Sequence, residues 1–175
     1  MTQYVETENT TEVVNTEADR QRRAFAEEFG LLWESRGFPP MDGRVVGYLL
    51  IMDEPYISSG KLAADLGASP SSVSLATRRM LDVGYIRRHI VSGDRSHYFR
   101  LASDPWGGTL DQSLAYFGRM QALMDRGTAL VEPQNGETRQ QLRLGHAHMV
   151  WLAETHRRWT EEWETYKKEQ GLSND

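Results

Sequence analysis

Ser71, Ser74, Leu75 and Arg78 stand at i, i+3, i+4 and i+7, so on an α-helix they share one stripe. Val73, Ala76, Met80 and Val83 form another, and at about 100° per residue Ser71 lies about 200° around from Val73. The apolar stripe reads as the buried one, which turns the serines, Leu75 and Arg78 outward. Hydroxyl side chains allow close approach, an arginine can donate two hydrogen bonds to guanine, and Leu75 or a serine can meet a thymine methyl. That face suits the major groove of duplex DNA. Ordinary solvated faces carry Glu and Lys, and Ser-Ser-x-Ser-Leu is a weak choice for helix stability alone. Arg79 adds a neighbouring cation. Further on, Ser92-Gly93-Asp94-Arg95-Ser96 reads as a hairpin loop between strands of about Tyr85 to Val91 and His97 to Leu101. Arg95 at its tip can enter a minor groove or hold a phosphate, with Asp94 orienting it. Arg87, Arg88 and Arg100 add charge along the strands, as phosphate contacts or as ion pairs of the fold.

The elements that position these residues are legible around them. Ser58 is the expected N-cap of a short helix that buries Leu62 and Leu66, and Gly67 stops it in a left-handed turn. Ser69 caps the next helix, Pro70 takes its first position, and Gly84 ends it. Helix, short turn, helix and then hairpin predict a winged helix-turn-helix over residues 54–102. Residues 18–53 read as two helices, one carrying Phe25, Phe29, Leu32 and Trp33, the other running from Asp42 as N-cap to Asp53. Residues 1–17 read as a disordered acidic leader and 171–175 as a tail. After the break at Pro105-Trp106-Gly107-Gly108, residues 103–170 read as two long helices, the first with Leu110, Leu114, Phe117 and Met124 on one side. The second bears Leu142, Gly145, Met149, Leu152, His156, Trp159, Trp163 and Tyr166 at steps of three and four. A helical hairpin packed on its own domain and an association surface both account for that stripe. Trp159 and Trp163, close to the chain's end, favour the second, with Met149, Leu152, His156 and Tyr166 as further dimer contacts. Phe29, Trp33, Phe117 and Met120 are candidate walls for a small apolar or aromatic ligand, with plain core as the alternative. The fold class is mainly α, with a small β component.

The chain has 175 residues, 39% of them hydrophobic, and no cysteine, which excludes disulfides and thiol chemistry and suits a reducing cytoplasm. Its net charge of −5 hides a segregation: Lys61 to Arg100 holds seven basic and three acidic residues. A basic island in an acidic chain is the footprint of a polyanion-binding surface, although a solvated face would look similar. The N-terminus has no signal-peptide pattern, and no apolar run is long enough to span a bilayer. His146 and His148 point to opposite sides of one helix, and His148 and His156 lack a third ligand between them, so neither a metal nor a cofactor is expected. With no phosphate loop, catalytic triad or framed carboxylate pair, no enzyme is expected. The alternative to DNA binding is a winged helix that docks a protein.

SSGKLAADLGASPSSVSLATRRMLDVGYIRR followed by GDRSHYFRL resembles the MarR superfamily, and within it the GbsR-like branch. The resemblance implies a homodimer with terminal helices at the interface and two reading heads. It also implies repression, as of a transporter or efflux operon, relieved by an apolar or aromatic effector in a cleft between head and dimer domain. Carried over by position, Ser71, Ser72, Ser74, Leu75 and Arg78 belong to the recognition surface, and Asp94 and Arg95 to the wing. Many members of the family have arginine where Leu75 stands and an acid where Arg78 stands, so a different base preference is expected here.

Overall fold

The computed structural model describes residues 16–172, except the side chains of 109–112. The expected leader, save its last two residues, most of the tail and the Leu110 side chain lie outside the described residues. The first helix, α1 (Glu17–Glu34), opens on a capping box: Thr16 Oγ1 accepts from the Asp19 amide at 3.2 Å, and the Asp19 carboxylate accepts from the Thr16 amide at 3.1 Å. Helix α2 (Pro40–Ile51) starts two residues ahead of Asp42. Pro40 needs no N–H partner at the first helical position, so Pro39 takes the cap and Asp42 is drawn inside the first turn, where it is buried. Glycine lets α2 lie directly on α1: a Cβ on Gly47 would fall 2.7 Å from Phe29 Cβ.

Strand β1 (Ile57–Ser58) leads into α3 (Ser59–Asp65), and Gly67 at φ +59° turns the chain into α4 (Pro70–Asp82). Both helices carry the serine caps expected of them, Ser58 on the Lys61 amide and Ser69 on the Ser72 amide, each at 3.2 Å. Strands β2 (Ile86–His89) and β3 (Tyr98–Leu101) form the hairpin, and the antiparallel sheet runs β1-β3-β2. At two residues β1 is too short to show alternation in the sequence. It is held by its pairing with Phe99 and Tyr98. Val45, Val46, Leu49, Leu62, Leu66, Val73, Ala76, Met80, Ile86 and Phe99 form one core beneath these elements.

The last two helices, α5 (Gly108–Leu130) and α6 (Gly136–Glu169), make a hairpin within the chain. A Cβ on Gly145 would meet Met124 Sδ at 3.1 Å, and the Phe117 and His156 rings meet edge-on at 4.8 Å. Much of the α6 stripe that reads as an association surface is therefore spent inside the chain. Trp163 likewise turns onto its own chain, where its indole N–H donates to Asp104 at 2.9 Å. Lys167 Nζ reaches the same carboxylate at 2.7 Å, and the Gly107 amide donates to its other oxygen at 2.8 Å. Asp104 lies three residues past β3, so this node ties the far end of α6 to the return strand of the hairpin.

Candidate nucleic-acid interface

Ser71, Ser72, Ser74, Leu75 and Arg78 are exposed on α4, while Val73, Ala76, Thr77 and Met80 are buried behind them. The hydroxyls gather at the helix start, with Ser69 Oγ 2.8 Å from Ser72 Oγ and 3.1 Å from Ser71 Oγ. Arg79 does not join this face. Its Nε donates to Asp42 Oδ2 at 2.7 Å and a terminal nitrogen bonds Asp42 Oδ1, and that pairing raises its already high pKa. Asp42 is only 2% exposed, so the guanidinium is the main compensation for a buried carboxylate charge.

The hairpin also differs from its sequence reading in one respect. Asp94 does not orient Arg95. Its carboxylate accepts from the Ser96 amide and the Tyr98 hydroxyl, both at 2.7 Å, which holds it below the usual carboxylate range. Asp94 is thus the residue that closes the turn, an Asx arrangement, and Arg95 projects beside it. At the base, His89 stacks on Tyr56 at 4.0 Å, and Tyr98 meets Tyr56 edge-on. Arg78, Arg87, Arg88, Arg95 and Arg100 have no hydrogen-bond or ion-pair partner among the described residues. Of the two readings the sequence leaves for the strand arginines, the fold ion pair is excluded among those residues.

Behind α4 lies a cavity of about 860 Å³. Its walls come from α1 and the turn after it (Leu32, Trp33, Arg36, Phe38), from the back of α4 (Arg79, Met80, Asp82, Val83) and from α5 (Ser113, Tyr116, Arg119). Of the four expected wall residues, Trp33 alone is there. Phe29 packs between Phe25 and Trp33, Phe117 faces α6, and Met120 is half-buried but not part of the lining. The wall that α5 offers is the 113–116–119 face, one that apolar periodicity does not select because it is mostly polar. On α6 the apolar side chains left open are Leu144, Trp151, Trp159 and Tyr166, between 49% and 67% exposed. Their spacing of seven, eight and seven was available in the sequence as a second stripe. Met149, Leu152 and His156 are half-buried, with His156 Nδ1 3.1 Å from the Leu152 carbonyl oxygen. Among the described residues no three His, Asp or Glu side chains converge as a metal site would need, and no helix is long and apolar enough to cross a membrane.

A two-helix turn with a capped, outward-facing second helix, followed by an antiparallel hairpin, is a winged helix-turn-helix. No protein-family model matches the chain. It is similar to the HTH-type transcriptional regulator MmpR5 of Mycobacterium tuberculosis, at 35% identity over 103 residues. The matched segment is 59% of this chain and 62% of that protein, so the chain spans less than two thirds of that relative's length. A crystal structure of a transcriptional regulator superposes with a TM-score of 0.75 at 26% identity, over 83% of this chain and 99% of that one. A point mutant of S. aureus MepR bound to an oligodeoxyribonucleotide is a distant neighbour, with a TM-score of 0.38 and 16% identity over 76% of this chain and 90% of that one.

Proposed function

We propose that this chain is a sequence-specific DNA-binding transcriptional regulator of the MarR type, in the GbsR-like branch, acting as a cytoplasmic homodimer. The observation that carries the reading is the set of unpaired arginines, Arg78 on α4 and Arg87, Arg88, Arg95 and Arg100 on the hairpin, around an outward serine face. Cations left without partners in an acidic chain are those a polyanion can neutralise. The likeness to the relative and to the 26%-identical structure, both transcriptional regulators, supports regulation of transcription. In this reading Ser71, Ser72, Ser74, Leu75 and Arg78 meet base edges in the major groove, and Arg95 enters the adjacent minor groove. Arg79 buttresses α4 from behind through Asp42. The second copy covers the open α6 stripe, which supports the homodimer, and two heads then face half-sites one helical turn apart.

The regulator acts as a repressor, with an efflux or transporter operon as the kind of target the family resemblance implies. The cavity behind α4 is the effector site. Its aromatic and aliphatic walls fit a mainly apolar molecule, and Arg36 and Arg119 can meet a negative end. Each tenfold loss of DNA affinity requires about 1.4 kcal/mol of coupling between the two sites.

The test is to map genomic fragments bound by the purified protein and to titrate the recovered duplex at rising salt. A roughly palindromic site with half-sites about 34–36 Å apart and a steep salt dependence is the expected result. A protein with no affinity for duplex at low salt is not such a regulator, and docking of a protein partner takes its place.

A further inference from the structure

We propose that Arg87 and Arg100 together grip one phosphate of the DNA backbone, a contact that rests on the DNA-binding reading above. The hairpin register places these two residues directly opposite each other on β2 and β3. Opposed residues of an antiparallel pair hold their Cβ atoms about 4.5–5.5 Å apart, and like charges in that position are destabilising. Both side chains are exposed, and neither has a hydrogen-bond or ion-pair partner among the described residues. An acid at either position would have made a favourable cross-strand pair, so the fold gains nothing from two cations here.

Alternation along the strands puts Arg87 and Arg100 on the face of the hairpin away from the core, since neighbouring Ile86 and Phe99 turn inward and are buried. The next pair on the same outer face is His89 opposite Tyr98, packed on Tyr56. That layer fixes the strands and offers no anion. The nearest acid of the hairpin, Asp94, is already spent on Ser96 and Tyr98. Two guanidinium groups side by side match an oxyanion that accepts several hydrogen bonds at once. The phosphodiester is the anion that reaches this surface when Arg95 at the tip of the same hairpin engages DNA. Positioning the backbone here would set the depth at which α4 enters the groove, without reading any base.

The experiment compares wild type with Arg87→Gln, Arg100→Gln and the double variant, and with Arg126→Gln, the same charge change on α5. Affinity for the mapped site and for a scrambled duplex is measured against salt, and thermal stability is measured without DNA at low salt. The double variant is expected to lose affinity for both duplexes by the same factor. Its salt slope should fall by about 2, one phosphate for each half-site of the dimer, and its melting temperature should equal or exceed that of wild type. Arg126→Gln should behave as wild type. If wild type binds and the double variant binds identically, the phosphate grip is wrong while the DNA-binding reading stands. A double variant that melts earlier, or loses its dimer by light scattering, shows that a protein carboxylate occupies the pair and also overturns the grip. A wild type that binds no duplex overturns both readings.

Discussion

Arg78 and Arg79 are neighbours in sequence and do opposite work on α4. Arg78 is exposed and unpaired among the described residues, whereas Arg79 is bound to Asp42, 37 residues away. Helix periodicity could separate the outward stripe from the buried one, and it did so for Ser71, Ser74, Leu75 and Val73. It could not see that Asp42 would be pulled into α2 and would claim the second arginine, because that pairing is made only when α2 meets α4. Opposite consequences follow for the two substitutions. Arg78→Ala should leave the melting temperature unchanged while costing about 1–3 kcal/mol of binding and relaxing preference at one base pair per half-site. A competition series with unaltered base preference would remove Arg78 from the reading face. Arg79→Ala strands the buried Asp42 carboxylate and should destabilise the fold by about 3 kcal/mol, the low end for a broken buried pair because the arginine is partly exposed. Denaturant unfolding checks this, and Asp42→Asn in the same chain should restore part of the loss.

Among the elements, those with local punctuation were legible. Ser58, Gly67, Ser69 and Pro70 mark the boundaries of α3 and α4 by chemistry that acts within a few residues, and the structure puts each where that chemistry asks. What depended on distant contacts was not legible: β1 exists through Phe99, and the α6 stripe is divided between α5 and the surface. The Asp104 node belongs to this second group, since its partners Trp163 and Lys167 lie some sixty residues on. Burial pushes the Asp104 carboxyl up, but the Lys167 ammonium and the Gly107 and Trp163 donors outweigh it and hold it below its ordinary 3.8. A lowered carboxyl stabilises the fold fully above its unfolded-state value and loses that contribution as pH falls through the folded one. Acid titration should therefore release the end of α6 from the β3–α5 junction, seen as a change in tryptophan fluorescence below about pH 4. Asp104→Asn should lack that acid step. An unchanged acid profile in the variant would assign the step to another carboxylate.

The whole molecule has a winged helix-turn-helix head, a cavity behind it and a long helical hairpin with an open apolar face. If Leu144, Trp151, Trp159 and Tyr166 are covered by a second copy, Trp151→Glu should give a folded monomer by light scattering. It should also bind the mapped site far more weakly than wild type, because each monomer keeps only half the contacts. A variant that stays dimeric would place the interface on α1 instead, where Leu31 and Leu32 are exposed. The shared wall between cavity and head has a genetic consequence. Arg79, Met80 and Asp82, with the C-cap residue Val83, line the cavity from the same helix that carries the outward residues from Ser71 to Arg78 on its other side. If the cavity is the proposed effector site and the protein the proposed repressor, a selection for variants that no longer respond to the effector should return two kinds of mutant. Those on α4 will carry a second phenotype, altered repression in the absence of effector, because the helix cannot be repacked on one side and kept still on the other. Those at Ser113, Tyr116 or Arg119 should be clean, blind to the effector and normal on DNA. Inheritance of the two traits would thus be inseparable on one wall of the cavity and freely separable on the wall across from it.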